Sequence, residues 1–258
     1  MKRVLFFNYE YPPLGGGAAN ATRYILDEYS RRDDIVVDLV TASITDEYVQ
    51  ERVGENVTIH RLPIGKNADN LNYQTRWELI KYTRKAQAFA KKLIAQNDYD
   101  LTHSFFAVPC GVISRKLKKK YNIPYIVSLR GADVPGYSER FKKLYKVITP
   151  TIHKVWHDAE YVVTNSSGLT ELARKSDSNQ KFLQIFNGVD TNFYHVGTRT
   201  LDDRKKEFRI LLASRLSRRK GFNYAIEAFV ELFDLYPHIR MQIAGGEGNA
   251  MEELKEQV

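Results

Sequence analysis

Residues 208–222 read FRILLASRLSRRKGF, and two cations stand where the apolar run ends: Arg215 directly after it and Lys220 five residues on, beside Gly221. A guanidinium offers a flat fork that holds two phosphate oxygens, and an ammonium offers a compact charge. Set next to a helix N-terminus, such a pair suits a diphosphate. A pair of solvated surface charges is the plain alternative, and Arg218 and Arg219 are assigned to the surface. Other chemistry-bearing residues fall at the ends of apolar runs too. Gly15, Gly16 and Gly17 come after Arg3–Asn8, His103 lies in Leu101–Ser104, and Arg130, Gly131 and Asp133 come after Tyr125–Leu129. Asn165 follows Tyr161–Thr164, and Gly245, Gly246 and Glu247 follow Ile239–Ala244. Any one of these is what an ordinary turn needs. Six of them at strand ends indicate a ligand cleft, because open parallel sheets bind ligands at the carboxyl ends of their strands.

The elements that would position these residues alternate. Expected strands are Arg3–Asn8, Ile35–Thr41, Val57–Leu62, Leu101–Ser104, Tyr125–Leu129, Tyr161–Thr164 and Phe182–Phe186, short continuous apolar runs of the kind buried on both faces of a parallel sheet. Helices are expected over Ala18–Ser30, Thr75–Ala95, Gly111–Tyr121, Phe141–His157 and Ser167–Lys175. The fold class is therefore α/β, a doubly wound, Rossmann-like parallel sheet over residues 1–186. Residues 187–207 are polar and turn-rich, opening with Asn187-Gly188, and read as a linker between domains. The pattern restarts with strand Phe208–Ala213, helix Phe222–Leu235, strand Ile239–Ala244 and helix Ala250–Val258. A two-strand unit buries little surface, so residues 208–258 are expected to be the first part of a second Rossmann-like domain.

The 258 residues are 43% hydrophobic and 27% charged, which suits a globular protein with a sizeable core. The longest apolar stretches are too short to cross a bilayer, and the start MKRVLFFNYEYPP reads as a first strand rather than a signal peptide. The single Cys110 excludes an internal disulfide and fits a cytoplasmic setting. The +8 net charge is concentrated: residues 111–156 hold eleven Lys/Arg against Asp133 and Glu139. Such a face points to an anionic partner, with a solvated helix surface as the ordinary reading. Tyr121, Tyr125, Tyr137 and Tyr145 interleave with the charge, yet tyrosines so spaced more often pack against a sheet, and no nucleic acid is expected as a partner. A dinucleotide reading of Gly15–Gly17 lacks its acid, because the second strand ends Val-Thr-Ala-Ser.

At these residues the sequence resembles the retaining nucleotide-sugar glycosyltransferases of family 4 (group 1), which have the GT-B fold. PPLGGGAAN is similar to the family's N-terminal glycine loop, DLTHSFFAVPCG to its His-containing strand end, and SLRGADVPGY to the segment that commonly reads His-Gly-x-Asp. FNGVDTNFY is similar to the linker entering the donor domain, ASRLSRRKGF to the arginine–lysine diphosphate grip, and IAGGEG to the glycine loop beneath the donor. The resemblance implies transfer of a sugar, with retention, from a nucleotide diphosphate sugar to a glycan, lipid or other acceptor. That donor is a co-substrate, and no cofactor or metal is called for if two fixed cations neutralise the diphosphate. It places Arg215, Lys220, Gly245, Gly246 and Glu247 on the donor diphosphate and Gly15, Gly16 and Gly17 at the acceptor side. Arg130, Asp133 and His103 fall at the catalytic segment, and Asn165, Asn187, Gly188 and Asp190 at an interdomain cleft. Two departures stand out. Arg130 replaces the usual histidine, and the family's Glu-x7-Glu pair has its spacing only at Glu47 and Glu55, far from the donor segment. A shortened chain with impaired activity is therefore expected. A non-catalytic module that binds an acceptor or an anionic surface is the alternative. Peripheral attachment at the inner membrane face through residues 111–156 is expected of either, although Pro150 interrupts the apolar–cationic run FKKLYKVITPTIHKVW.

Overall fold

The computed structural model describes residues 1–66, 70–195, 208–246, 248 and 250–257. The chain divides into two units, Met1–Gly188 and Val189–Val258. The first runs β1 (Lys2–Phe7), α1 (Gly17–Tyr29), β2 (Ile35–Ser43), β3 (Val49–Val53), β4 (Val57–Pro63), α2 (Arg76–Gln96) and β5 (Leu101–Phe105). It continues with α3 (Val112–Tyr121), β6 (Tyr125–Ser128), α4 (Lys142–Asp158), β7 (Tyr161–Thr164), α5 (Ser167–Ser176) and β8 (Leu183–Gln184). The strands lie in the order β3-β4-β2-β1-β5-β6-β7-β8, parallel throughout except for the antiparallel β3. The order reverses at β1, which pairs with β2 on one side and β5 on the other. Loops from those strands therefore diverge there and leave the crevice in which doubly wound folds take ligands.

Both faces of the sheet are covered, which is why its strands read as unbroken apolar runs. Along β1, Val4 and Phe6 pack with Leu26, Leu39 and Ile59, while Leu5 and Phe7 point the other way, against Tyr82, Ala86 and Ala90. The Tyr82 hydroxyl donates to the Val40 carbonyl at 2.8 Å, so the aromatic ring is buried with its polar end satisfied. Helix α2 opens with a reciprocal capping box between Thr75 and Glu78.

The structure differs from the sequence reading at three places. Residues 49–53, VQERV, form β3 where only a polar stretch was expected. The strand alternates half-buried and exposed positions at the sheet edge, and a hairpin turn through Gly54 (φ +62°) joins it to β4. Glu47 precedes this strand and Glu55 sits in its turn, so their spacing belongs to the hairpin. At the other edge the ladder of the expected 182–186 strand is reduced to Leu183 and Gln184, with one further bond from the Ile185 N–H to the Thr164 carbonyl, and Ile185 and Phe186 are exposed. Finally, α4 runs through Pro150 without interruption. The proline lies on the exposed side, where water can satisfy the carbonyl that lost its donor.

The second unit contains β9 (Phe208–Ala213), α6 (Phe222–Leu235), β10 (Ile239–Ala244) and α7 (Met251–Gln257). Its two strands are parallel and in register from Phe208–Ile239 to Ala213–Ala244. Phe222, Ile226, Ala250 and Leu254 form its core.

A tight spot beneath the crevice tests this packing. Gly111 ends the turn before α3, and a Cβ there would lie 2.7 Å from Val155 Cγ1 and 3.3 Å from Val127 Cγ2. Gly111→Ala is expected to destabilise the first unit by about 1–3 kcal/mol through overpacking, read as a lower urea midpoint with unchanged slope.

Candidate functional site

The loop after β1 is built to bring backbone close to backbone. Asn8, fully buried, donates to Thr22 Oγ1 at 2.7 Å and accepts from the Glu10 N–H at 3.0 Å, which starts the loop. Gly15 has φ +90°, and a Cβ there would collide with the Glu10 side chain. Its N–H donates to the Leu71 carbonyl at 2.8 Å, tying this loop to the one after β4. Gly16 caps α1 without a side-chain hydrogen bond, and Gly17, the first helical residue, is exposed with open space around its Cβ position. No acidic residue lies in the first turn, so the positive end of α1 is not countered from within the helix.

Across the crevice, the loops after β5 and β6 are held by one carboxylate. Asp133 is buried; Oδ2 accepts from the Ala107 N–H at 2.8 Å, and Oδ1 accepts from the N–H groups of Arg130 at 2.9 Å and Gly131 at 3.1 Å. Burial pushes its carboxyl up, and these backbone donors pull against that shift. Asp133 is thus a brace between loops. Gly131 has φ +118°, and a Cβ there would enter the Tyr137 ring. Nearby Phe106 adopts φ +69°, strain that the tie at Ala107 and stacking on Tyr9 hold in place.

Arg130 projects from this braced segment onto Phe105, with its guanidinium carbon 3.4 Å from the ring centre. Its Nη1 donates to Asn187 Oδ1 at 2.9 Å. Burial lowers the guanidinium to about 10, with the charge of Asp133 acting in the opposite direction. His103 lies mid-strand, between Phe6 and Ile126 in register, stacked on Phe6 at 4.4 Å with Nε2 2.9 Å from Ser128 Oγ. Burial first, and the Arg130 charge second, push its pKa down to about 3, so the imidazole is neutral at pH 7. Arg130, Asp133 and His103 therefore come together at one edge of the first unit, with Asn187 beside them. Phe105 and Ser128, which position Arg130 and His103, escaped the sequence reading. Their signal was their place at the ends of β5 and β6.

Asn165 is half-buried between β7 and α5, where Ser166 caps the helix by accepting the Leu169 N–H at 3.2 Å. Gly188 is exposed. Asp190, in the second unit, accepts the N–H groups of Asn192 and Phe193 at 2.9 and 3.1 Å, which makes it a turn residue.

In the second unit the loops after β9 and β10 interlock. A Cβ on Gly245 would collide with the Ser214 carbonyl, and one on Gly248 with the Leu216 carbonyl. The Leu216 N–H donates to the Gly246 carbonyl at 3.2 Å. Only glycine permits this approach, which sets Gly245 and Gly246 against the backbone flanking Arg215. Lys220 is exposed in the short 3-10 turn Arg218–Lys220, and Gly221 (φ +70°) caps α6. Arg218, assigned to the surface, is exposed and bonded to Glu253 there. Glu247 and positions 196–207 of the expected linker lie outside the described residues.

A doubly wound parallel sheet with a glycine loop at its switch point, followed by a parallel strand–helix segment with a basic turn, defines the GT-B-like α/β class. The chain belongs to the glycosyl transferase 4-like domain family, whose model matches residues 16–188. Over 194 residues it is 27% identical to an uncharacterized glycosyltransferase of Methanocaldococcus jannaschii, covering 73% of this chain and 47% of that protein. It is 24% identical over 269 residues to the mannosylfructose-phosphate synthase of Agrobacterium fabrum, covering 94% and 58%. The chain thus spans about half the length of the curated relatives it matches. Among solved structures, sucrose-phosphate synthase from Thermosynechococcus elongatus superposes with a TM-score of 0.73 at 18% identity, covering 100% of this chain and 68% of that one.

The neutral His103 gives a pH test. Its folded pKa is depressed below the unfolded value of about 6.5, so its contribution to stability is present above that value and is lost as pH falls toward about 3. At pH 5 the unfolded state alone takes up the proton, which costs the fold about 2 kcal/mol. His103→Gln is expected to remove that part of the difference between urea denaturation curves at pH 7 and pH 5.

Proposed function

We propose that the protein transfers a sugar, with retention, from a nucleotide diphosphate sugar to a glycan, lipid-linked or other acceptor. Membership of the glycosyl transferase 4-like family is the observation that carries this reading. In the proposed reaction the bond between the sugar C1 and the donor's phosphate oxygen breaks. A bond from C1 to an acceptor oxygen forms on the same face, and the acceptor's proton passes to the leaving phosphate. The protein's part is to position the reactants and to neutralise the charge that develops on the leaving diphosphate.

Arg215 and Lys220 take that second part. The support is their place after β9, beside a loop that only glycines bring this close. Two fixed cations supply the neutralisation a divalent ion would otherwise give, so metal independence is part of the proposal. The acceptor is assigned to the first unit, at the crevice flanked by Gly15–Gly17 and the Asp133-braced loop. Calorimetric titration with UDP and GDP tests the donor assignment. One of them is expected to bind, and the Arg215→Ala/Lys220→Ala double variant is expected to lose at least tenfold in affinity. Equal binding by the variant rejects the roles of Arg215 and Lys220.

A second reading concerns where the reaction takes place. Of the basic residues in 111–156, Arg115 and Lys118 pair with Asp158 and Glu160, which lie just beyond that stretch. Tyr125 and Tyr145 are buried, their hydroxyls bonded to the carbonyls of Val155 and Ala132. Lys142 pairs with Glu139, and Lys143, Lys146, Lys154 and the 75% exposed Val147 also lie outward on α4. No described helix is long and apolar enough to cross a membrane. This face suits reversible contact with anionic headgroups, each lysine contributing about 1 kcal/mol. Flotation with phosphatidylserine vesicles is expected to carry the protein at low salt and to fail for Lys143→Glu/Lys146→Glu.

A further inference from the structure

Arg130 is packed and oriented, and the negative charge of Asp133 acts on it, yet among the described residues its guanidinium forms no ion pair. Its guanidinium lies against Phe105, and Nη1 donates to Asn187, a neutral amide. Nε is buried and has no hydrogen-bond partner among the described residues. Asp133, the carboxylate of the same segment, already accepts three backbone N–H groups. His103, pushed down by burial and by Arg130 itself, is neutral. Buried charges are ordinarily paired, and an orphaned polar group in a native fold calls for an explanation such as an ion that arrives from outside. Here the orphan stands at the carboxyl edge of the sheet, just past the end of β6, two strands from β1, at which the order reverses.

We propose that Arg130, oriented by Phe105 and Asn187, recognises an oxyanion carried on a sugar substrate: a carboxylate or a phosphate ester. The inference rests on the glycosyl-transfer reading and narrows it to anionic sugars. On that reading the donor's diphosphate is assigned to Arg215 and Lys220, and the oxyanion proposed for Arg130 is a second charge, carried on the sugar. With its carbon 3.4 Å from the centre of the Phe105 ring, the guanidinium has one side covered, and its N–H groups lie in its own plane, where a guanidinium grips the two oxygens of a carboxylate or phosphate. A neutral sugar would leave the cation unmatched. Charge-assisted hydrogen bonds at such a site correspond to roughly 10- to 100-fold in affinity.

The test titrates the full chain with glucuronate, glucose 6-phosphate and glucose, with UDP as a separate arm, in the wild type and in Arg130→Gln. At least one anionic sugar is expected to bind tenfold or more tighter than glucose, and Arg130→Gln is expected to abolish that preference. Whichever of glucuronate and glucose 6-phosphate binds tighter identifies the oxyanion. Equal affinity of the wild type for all three sugars overturns the proposal, and so does a preference that survives Arg130→Gln. Should that variant fail to fold, Asn187→Ala, at an exposed position, is expected to reduce the preference several-fold, and an unchanged preference counts against the proposal. The UDP arm separates the two readings. UDP binding without anion preference overturns the role of Arg130 and leaves glycosyl transfer standing. Anion preference without UDP binding does the reverse.

Discussion

A buried carboxylate must have its oxygens satisfied, and in this protein that requirement shapes the crevice. Asp133 takes N–H groups from two loops, one after β5 and one after β6, and so sets how far apart the ends of those strands can lie. The direction of Arg130 follows, because its own backbone N–H is one of the three. So does the left-handed turn at Gly131, which the Tyr137 ring then covers. Even the strained Phe106 depends on it, since the next residue, Ala107, is held by the same carboxylate.

On the proposed reading, the two units approach a charged ligand by different means. In the first, charge is presented by a side chain on a braced segment, and the glycine loop at α1 leaves helix N–H groups facing outward. In the second, glycines at 245 and 248 bring one strand-end loop into contact with another, and the cations stand on the turn that follows. Both arrangements keep these groups at the strand ends of a sheet, with their loops tied to neighbouring backbone.

Much of this was legible in the sequence because parallel strands buried on both faces must be continuous apolar runs. Val4–Phe7, Val37–Val40 and Tyr125–Val127 announce themselves in that way. The same rule explains what was missed: β3 is antiparallel and half-exposed, so VQERV alternates and carries charge. The place of Pro150 on the outer side of α4, where its missing donor costs little, is set by tertiary packing that no local pattern contains. Residue types at strand ends picked out Arg130, Asp133 and His103 separately, and the family resemblance put them together. Their division of labour depends on which lone pairs are taken by which N–H groups, and that appears only once the loops are in place.

The charged edge strand has an effect beyond closing the sheet. An open sheet edge is a template on which another chain can add a strand, and growth by that route leads to aggregates. β3 presents exposed Gln50 and Arg52 and the ion-paired Glu51 at that border. A second molecule pairing there would have to strip water from these groups without replacing it. The opposite border is short, the two residues of β8 followed by the exposed Ile185 and Phe186. The first unit therefore carries, in five residues that look ordinary in sequence, a border of the kind that disfavours the addition of a further strand.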